Sequence, residues 1–130
     1  LSFFLTTDEH RRPETWSYRE LLAGITQTAN FFDELGVTKD SVVAFVLPNL
    51  PETHFTIWGG EAAGIVFAVN PLLEAPAIAE LLNAAKASVL VTLAPFPGTD
   101  LWPKVSGILA QIPSLRHVVL VNPSYTLLPT

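Results

Sequence analysis

Four short apolar runs rich in β-branched residues constrain the fold of this 130-residue chain more than any other feature. They lie at Ser41–Leu47, Ile65–Val69, Ser88–Leu93 and His117–Val121. Their hydrophobicity is continuous rather than alternating, which is typical of parallel strands that are covered on both faces. The intervals between them are long enough for crossover helices. The sequence therefore predicts an α/β fold, an open and mainly parallel sheet flanked by helices.

Each interval between these strands contains residues that fit a helix. The first predicted helix is Pro51–Ala63 and the second is Pro76–Ala85. Pro76 and Pro103 fall in predicted first turns, where proline is tolerated. In the second and third helices, apolar residues recur at helical spacing and are expected to face the sheet. These residues are Ile78, Leu81, Leu82, Ala85, Leu101, Val105, Ile108, Leu109 and Ile112.

The amino-terminal region predicts a loose hairpin followed by a helix. Phe3–Thr6 and Glu14–Ser17 are the two hairpin strands. Ser17 and Glu20 have the spacing of a capping box, in which hydroxyl and carboxylate each satisfy a backbone N–H at a helix start. Gly36 supplies the left-handed residue that ends the helix. The residues expected on its inner face are Leu21, Leu22, Ile25, Ala29, Phe32 and Leu35.

Charge and composition exclude several classes of partner and site. The chain has 12 acidic and 7 basic residues and a net charge of −5. This balance argues against nucleic acid or an anionic membrane surface as a partner. The longest stretch without charged residues is His117–Thr130, which is shorter than the roughly 20 residues of a spanning helix, so no membrane span is expected. The absence of cysteine excludes disulfides and thioredoxin-like chemistry.

The loops after the four predicted strands are the places to look for a ligand, because ligands bind beyond the carboxyl ends of parallel strands. These loops contain Pro48-Asn49, Asn70-Pro71, Ala94-Pro95 and Asn122-Pro123. Proline stands where a dinucleotide-binding fold would need glycine. The asparagines cannot replace the carboxylates of a phospho-acceptor domain, and we interpret them as turn-formers and helix caps.

No catalytic or metal constellation emerges from the remaining residues. Gly59, Gly60 and Gly64 precede a strand, so close packing is their expected role. The three histidines have no zinc-like spacing, and no serine lies in a Gly-x-Ser-x-Gly elbow. Trp16, Trp58 and Trp102 are interpreted as core anchors. The predicted catalytic and metal sites are therefore none.

The order of short motifs is more informative than any one of them. They are Trp16-Ser17-Tyr18-Arg19-Glu20-Leu21, Leu35-Gly36-Val37, Ser41 to Pro48-Asn49-Leu50-Pro51-Glu52, Ala62-Ala63-Gly64-Ile65-Val66 and Val69-Asn70-Pro71. This collinear series, from Trp16 to about Thr92, resembles the opening of adenylate-forming acyl-CoA synthetases. The remainder of the chain is compatible with the family in pattern only.

The resemblance implies that residues 1–130 form part of the large N-terminal domain of such an enzyme, with no second domain present. The parent would convert a carboxylic acid, fatty or aromatic, with ATP, Mg and coenzyme A into acyl-CoA, AMP and pyrophosphate through an acyl-adenylate. The family's phosphate loop and its later catalytic motifs are not in this sequence. The chain also begins with Leu1. We therefore expect an excised piece that is inactive alone and binds no cofactor strongly.

Asn70 and Pro71 are the only candidate cofactor-binding residues that the resemblance supplies. Several family members follow this pair with an arginine that faces the nucleotide end of coenzyme A, whereas this chain has Leu72. Glu74 stands where the family often has a Thr or Ser helix cap. Because Pro76 follows two residues later, we expect the start of this helix to be shifted relative to the family.

Two other interpretations stay open. One is a free-standing, non-catalytic α/β module that binds a small molecule or a protein. The other keeps the family but changes the acceptor, as in peptide-synthetase adenylation domains or luciferase-like enzymes; Val69-Asn70-Pro71 favours acyl-CoA synthetases. We further expect exposed apolar surface that favours homo-oligomers. The absence of targeting signals predicts a cytoplasmic location.

Overall fold

The computed structural model describes residues 2–5, 14–48, 51–95 and 99–122. They form six strands, four α-helices and one short 3₁₀ helix. The elements are β1 (Ser2–Leu5), β2 (Glu14–Ser17), α1 (Tyr18–Glu34), β3 (Val42–Val46), α2 (Pro51–Ala63), β4 (Ile65–Ala68), α3 (Ala75–Ala85), β5 (Val89–Leu93), α4 (Leu101–Ser106), the 3₁₀ helix (Leu109–Gln111) and β6 (His117–Val121).

The main sheet has four parallel strands in the order β4-β3-β5-β6. Its register aligns Val43 with Val66 on one side and with Val89 on the other, and Val91 with Val119. β1 and β2 form a separate antiparallel hairpin. The predicted fold class, an open parallel sheet flanked by helices, is confirmed. The predicted hairpin and all four predicted strands are present, although Thr6 lies outside the described residues.

The strand order distributes the helices over both faces of the sheet. The chain moves from β3 outward to β4, then back across the sheet to β5 and on to β6. Right-handed crossovers therefore place α2 on one face and α3 and α4 on the other. α1 packs beside α2. The result is two layers of helix around one sheet, and the carboxyl ends of all four strands meet at the same edge.

The two central strands form the centre of the core, and the two edge strands do not. Every residue of β5 is buried, as is nearly all of β3. β4 and β6 are only partly buried, and Ile65 and Leu120 are exposed. The prediction of four strands covered on both faces is therefore right for β3 and β5 and wrong for β4 and β6, because each edge strand has one neighbour and incomplete helix cover.

The predicted Ser17 cap and the predicted left-handed residue after α1 are confirmed, whereas the Glu20 carboxylate accepts from the Ser17 hydroxyl rather than from a backbone N–H. The Ser17 hydroxyl accepts a hydrogen bond from the Glu20 N–H at 3.1 Å and donates one to the Glu20 carboxylate at 3.0 Å. Gly36 has a φ of 88°. Of the predicted inner face, Phe32 is 1% exposed, whereas Leu22 is 63% exposed and was wrongly predicted. Leu22 lies in the first turns of α1, where no described element covers it.

The two helices on the other face depart from prediction in detail. α3 buries Ile78, Ala79 and Leu82, but Leu81 is exposed and its predicted inward direction is wrong, because Ala79 takes the inner position. In the region of the third predicted helix, α4 ends at Ser106 and is followed by a turn and the 3₁₀ helix. Its apolar positions nevertheless reach the core: Leu101, Val105, Ile108 and Ile112 are buried.

Glycines allow α2 to pack closely against α1 and β4, as predicted for Gly59 and Gly60. A Cβ on Gly59 would lie 2.7 Å from the Thr28 side chain, and one on Gly60 would lie 2.5 Å from Val66. Gly24 of α1 makes the reciprocal approach to the Phe55 ring. The prediction that the tryptophans anchor the core is wrong for Trp58, which is 51% exposed on the outer face of α2.

Candidate functional site at the carboxyl edge of the sheet

The loops beyond the carboxyl ends of the strands form one edge of the molecule, where the sequence placed its candidate site. Pro48, Asn70, Pro95 and Asn122 follow β3, β4, β5 and β6 at this edge. Asn49 and Pro123, which the sequence analysis also singled out, lie outside the described residues. The edge is therefore best defined at the β4–α3 connection, residues 69–74.

Asn70 forms the turn that follows β4. Its side-chain oxygen accepts a hydrogen bond from the Leu72 N–H at 2.9 Å, and its backbone carbonyl accepts one from the Leu73 N–H at 3.2 Å. Short amide side chains favour such turns because they satisfy nearby backbone groups. The predicted turn-forming role of Asn70 is confirmed. Its side chain is also exposed, and its cofactor-binding role stays a prediction.

Pro71 is connected to α4 by a contact that the sequence analysis missed. The Lys104 Nζ donates a hydrogen bond to the Pro71 carbonyl at 2.7 Å, in a partly buried position. The two residues are 33 positions apart. This contact links two connections at the carboxyl edge and brings a positive charge beside Leu72, which is 85% exposed. No local sequence pattern predicts this contact, because its two residues lie in different crossover connections.

Two threonine hydroxyls bind backbone carbonyls at the same edge. Thr53 Oγ1 donates to the Pro48 carbonyl at 2.6 Å, and the buried Thr92 Oγ1 donates to the Val46 carbonyl at 3.1 Å. Hydrogen bonds of this kind contribute to the pairing of backbone polar groups inside the protein. These hydroxyls therefore serve the structure of the edge.

Within the described residues, no group of three or more His, Asp or Glu side chains is placed to hold a metal ion. Nor does any helix in the described ranges combine the length and hydrophobicity needed to cross a membrane.

A second concave surface lies at the opposite, amino edge of the sheet and was not predicted. This cleft of about 610 Å³ is bordered by the ends of α1 and α3 and by the starts of β3, β5 and β6. Lys86, Arg116 and His117 line it together with Asp40. The carbonyl ends of helices carry partial negative charge, which basic side chains complement. The basic side chains of the cleft therefore lie where they can stabilise the carbonyl ends of α1 and α3.

The fold and the edge loops together define an open α/β domain in which the loops that follow the four parallel strands lie at one edge. The sequence profile of the family described as AMP-binding enzyme matches residues 4–127. The chain belongs to the AMP-binding enzyme family.

Individual relatives agree with this family. The chain is 40% identical over 91 residues to a marinolic acid–CoA ligase from Pseudoalteromonas sp., covering 70% of this chain and 14% of that protein. It is 34% identical over 111 residues to a crotonobetaine/carnitine–CoA ligase from Salmonella arizonae, covering 84% of this chain and 20% of the relative. The chain thus spans at most about a fifth of the length of these relatives.

Solved structures show the same fold. A long-chain-fatty-acid-CoA ligase from Archaeoglobus fulgidus superimposes with a TM-score of 0.76 at 20% identity, over 90% of this chain and 23% of that one. The region shared with these enzymes is the part of their N-terminal domains that contains the parallel sheet and its helices. This likeness shows the fold, and the profile match over residues 4–127 confirms the predicted family.

Proposed function

We propose that this chain is the opening part of the N-terminal domain of an acyl-CoA synthetase, an acid–thiol ligase. The full-length enzyme would activate a carboxylic acid with ATP to an acyl-adenylate and pyrophosphate, and coenzyme A would then displace AMP. The observation that carries the proposal is the family match over residues 4–127 together with curated relatives whose names are CoA ligases.

This chain by itself is proposed to have no ligase activity. Attack on a phosphate requires cationic or N–H donors and a metal ion around the reacting oxygens. Among the described residues, no group of three or more His, Asp or Glu side chains is placed to hold a metal ion, and the sequence contains no glycine-rich phosphate loop with its lysine. Its proposed contribution is the rigid sheet whose carboxyl edge carries the Asn70–Leu73 turn.

The proposed substrate is a fatty or aromatic carboxylic acid, and the proposed location is the cytoplasm, where ATP and coenzyme A are available. Asn70 and Pro71 would lie at the rim of the coenzyme A site. Leu72 replaces the arginine found in several family members, but Lys104 lies 2.7 Å from the Pro71 carbonyl and supplies a positive charge to the same turn.

A free-standing, non-catalytic module is the second candidate. The observation that favours it is the absence of catalytic motifs from the sequence. Peptide-synthetase and luciferase-like chemistries are less well supported, since both relatives described above carry CoA ligase names.

The deciding experiment compares the 130-residue chain with the complete protein encoded by its reading frame. Each is incubated with ATP, Mg²⁺ and a panel of fatty and aromatic acids, with and without coenzyme A. We expect acid-dependent pyrophosphate release and acyl-CoA formation from the complete protein and neither from the chain. Pyrophosphate release by the chain alone would contradict its proposed inactivity. A reading frame that ends near Thr130 would favour the module.

A further inference from the structure

The cleft at the amino edge of the sheet has the size of a small-molecule site. Its volume of about 610 Å³ lies within the roughly 300–1,000 Å³ of typical ligand pockets. Residues of the α1–β3 connection, the end of α3 and the segment that leads into β6 line it. β5 is five residues long, so about 16 Å of strand separates the cleft from the carboxyl-edge loops. A ligand of the cleft is therefore distinct from a ligand of those loops.

The charge of the cleft is opposite to that of the whole chain. The chain has 12 acidic and 7 basic residues. In the cleft, by contrast, Lys86, Arg116 and His117 face a single acid, Asp40. We call Lys86, Arg116 and His117 the basic triad. A cleft lined mainly by one sign of charge concentrates ions of the opposite sign, so this cleft favours an anion although the protein is acidic.

The donors of the basic triad are not used by the surrounding structure. The ends of α1 and α3 are closed by backbone hydrogen bonds. Serine hydroxyls bind further carbonyls at this edge: Ser88 Oγ donates to the Val42 carbonyl at 3.2 Å, and Ser114 Oγ donates to the Ala87 carbonyl at 2.8 Å. Among the described residues, none of the hydrogen bonds of the cleft uses a side-chain N–H of the basic triad. The triad stabilises the helix ends through charge, and its N–H groups stay available to a ligand.

The backbone holds the basic triad around one segment. The Arg116 and His117 N–H groups both donate to the Ser88 carbonyl, at 2.8 and 3.3 Å. These bonds connect the start of β6 to the residue that precedes β5. Lys86 lies two residues before Ser88, at the end of α3. The three positions are therefore fixed relative to one another before a ligand binds, which lowers the entropy lost on binding.

Lys86 occupies a position at which a side chain disfavours the fold. Its φ of 53° lies in the left-handed region, where a Cβ is unfavourable and where helices usually end with glycine. Residues kept in such conformations cluster at ligand sites. Helix termination alone does not explain a lysine here, whereas an ammonium group directed at a ligand does.

The donors and the acid of the cleft together select a class of ligand. A phosphate monoester has three acceptor oxygens for the three members of the basic triad, and arginine and lysine are both established phosphate binders. Asp40 precedes β3, whereas the triad lies beside β5 and β6, so acid and bases occupy different sides of the cleft. A carboxylate repels a second anionic group but accepts hydrogen bonds from hydroxyls.

From these observations we infer that the amino-edge cleft binds a phosphate monoester of a small polyhydroxylated molecule. The phosphate binds Lys86, Arg116 and His117, and a ligand hydroxyl donates to Asp40. The inference does not depend on the proposed ligase activity, because no residue of the carboxyl edge contributes to this site.

Lysine acetylation followed by peptide mass spectrometry tests the site in the 130-residue chain and in the complete protein. Lys86 reports on the cleft, and Lys104 reports on the carboxyl edge in the same sample. We expect ribose 5-phosphate to slow acetylation of Lys86 and to leave Lys104 unchanged, and ribose to affect neither. Unchanged labelling of Lys86, protection of Lys104 alone, or equal protection by ribose would overturn the inference.

Substitutions in the basic triad test the phosphate end of the site. Lys86→Gln and Arg116→Gln remove a charge and keep an extended polar side chain. Each should weaken ribose 5-phosphate binding at least about tenfold in isothermal titration calorimetry, because each removes a charge-assisted hydrogen bond. Lys39→Gln is the matched control, since Lys39 is exposed at the same edge but does not line the cleft. Circular dichroism checks that all three variants fold. An equal loss in the control would show a general charge effect and overturn the site.

Asp40→Ala tests the hydroxyl end. The unsubstituted protein should bind ribose 5-phosphate more tightly than inorganic phosphate, and Asp40→Ala should reduce that preference. Equal affinity of the unsubstituted protein for both probes would contradict the role of Asp40. These measurements are separable from the ligase assay. A complete protein that protects Lys86 but forms no acyl-CoA would refute the proposed function alone, and an active ligase with unprotected Lys86 would refute this inference alone.

Discussion

Helices α1 and α3 end with the same pattern of backbone hydrogen bonds, although very different residues occupy the left-handed position. After α1, the Gly36 N–H donates to the Asp33 carbonyl and the Val37 N–H donates to the Phe32 carbonyl, both at 3.0 Å. After α3, Lys86 and Ala87 repeat this pair of bonds, at 3.1 and 3.2 Å, with Asn83 and Leu82. This is the Schellman pattern. Gly36 adopts a left-handed φ of 88° without strain, whereas Lys86 adopts a φ of 53° that disfavours a side chain.

The starts of the two helices show the same contrast, since α1 again has the stronger local signal. Ser17 caps α1 through its hydroxyl, while Glu74 stands at the start of α3 with no side-chain capping bond. Burial is reversed: α3 fully buries three of its 11 residues, and α1 buries only Phe32 of its 17. Strong local signals thus accompany the sparsely packed helix, and tertiary packing holds the helix whose local signals are weak.

The largest expected loss of stability follows from removing a packing contact of α3. Leu82→Ala deletes a fully buried side chain, and large-to-small core changes of this kind cost about 2–5 kcal/mol. The adjacent Leu81→Ala is the matched control, because Leu81 is exposed on the same helix. Urea unfolding followed by circular dichroism measures the free energy of unfolding of both variants. Equal losses for both would show that α3 does not depend on its buried face.

A smaller loss is expected when α1 loses its terminal glycine. Gly36→Ala forces a side chain into the left-handed region, which costs about 1–2 kcal/mol. No atom lies within 4 Å of the added Cβ, so the cost is conformational and not steric. Gly107→Ala is the control, since Gly107 has an ordinary φ of −68° and only ordinary contacts around it. An unfolding midpoint for Gly36→Ala as high as that of Gly107→Ala would contradict this account.

The smallest expected effect is a gain in stability. Lys86→Gly places the preferred residue at the end of α3 and should raise the free energy of unfolding by about 0.5–1 kcal/mol, because relief of strain exceeds the added entropy of the unfolded chain. Lys86→Ala keeps a Cβ in the same conformation and should leave stability nearly unchanged. Thermal unfolding of the two variants tests the difference. A destabilised Lys86→Gly would show that the lysine side chain holds the helix end through the amino-edge cleft.

Local and periodic features of the fold could be predicted from the sequence. The bounds of α2, the cap at Ser17 and the left-handed residue at Gly36 follow from residues a few positions apart. The exposure of Leu22 and Leu81 could not be predicted in the same way, because helical periodicity defines a face but not how far neighbouring elements extend over it. The partial exposure of β4 and β6 depends on strand order, which apolar runs do not encode.

The candidate site was predictable only in part. The Asn70 turn depends on a bond between residues two positions apart, and its chemistry is visible in the sequence. The Lys104 contact with Pro71 joins residues 33 positions apart and needs the completed crossovers. The amino-edge cleft has the same origin, since it is bounded by helix ends and strand starts that meet only in the assembled sheet.

The position of β3 between β4 and β5 sets an order of events during synthesis. The partners of β3 on β4, such as Ile65 opposite Val42, are made soon after β3, but its partners on β5, such as Thr92 opposite Val46, are made 46 residues later. At ribosomal rates of about 5–20 residues per second, this delay lasts on the order of several seconds. During that time a strongly apolar strand has one unpaired edge. Nascent chains that end before β5 would therefore leave one edge of this apolar strand unpaired.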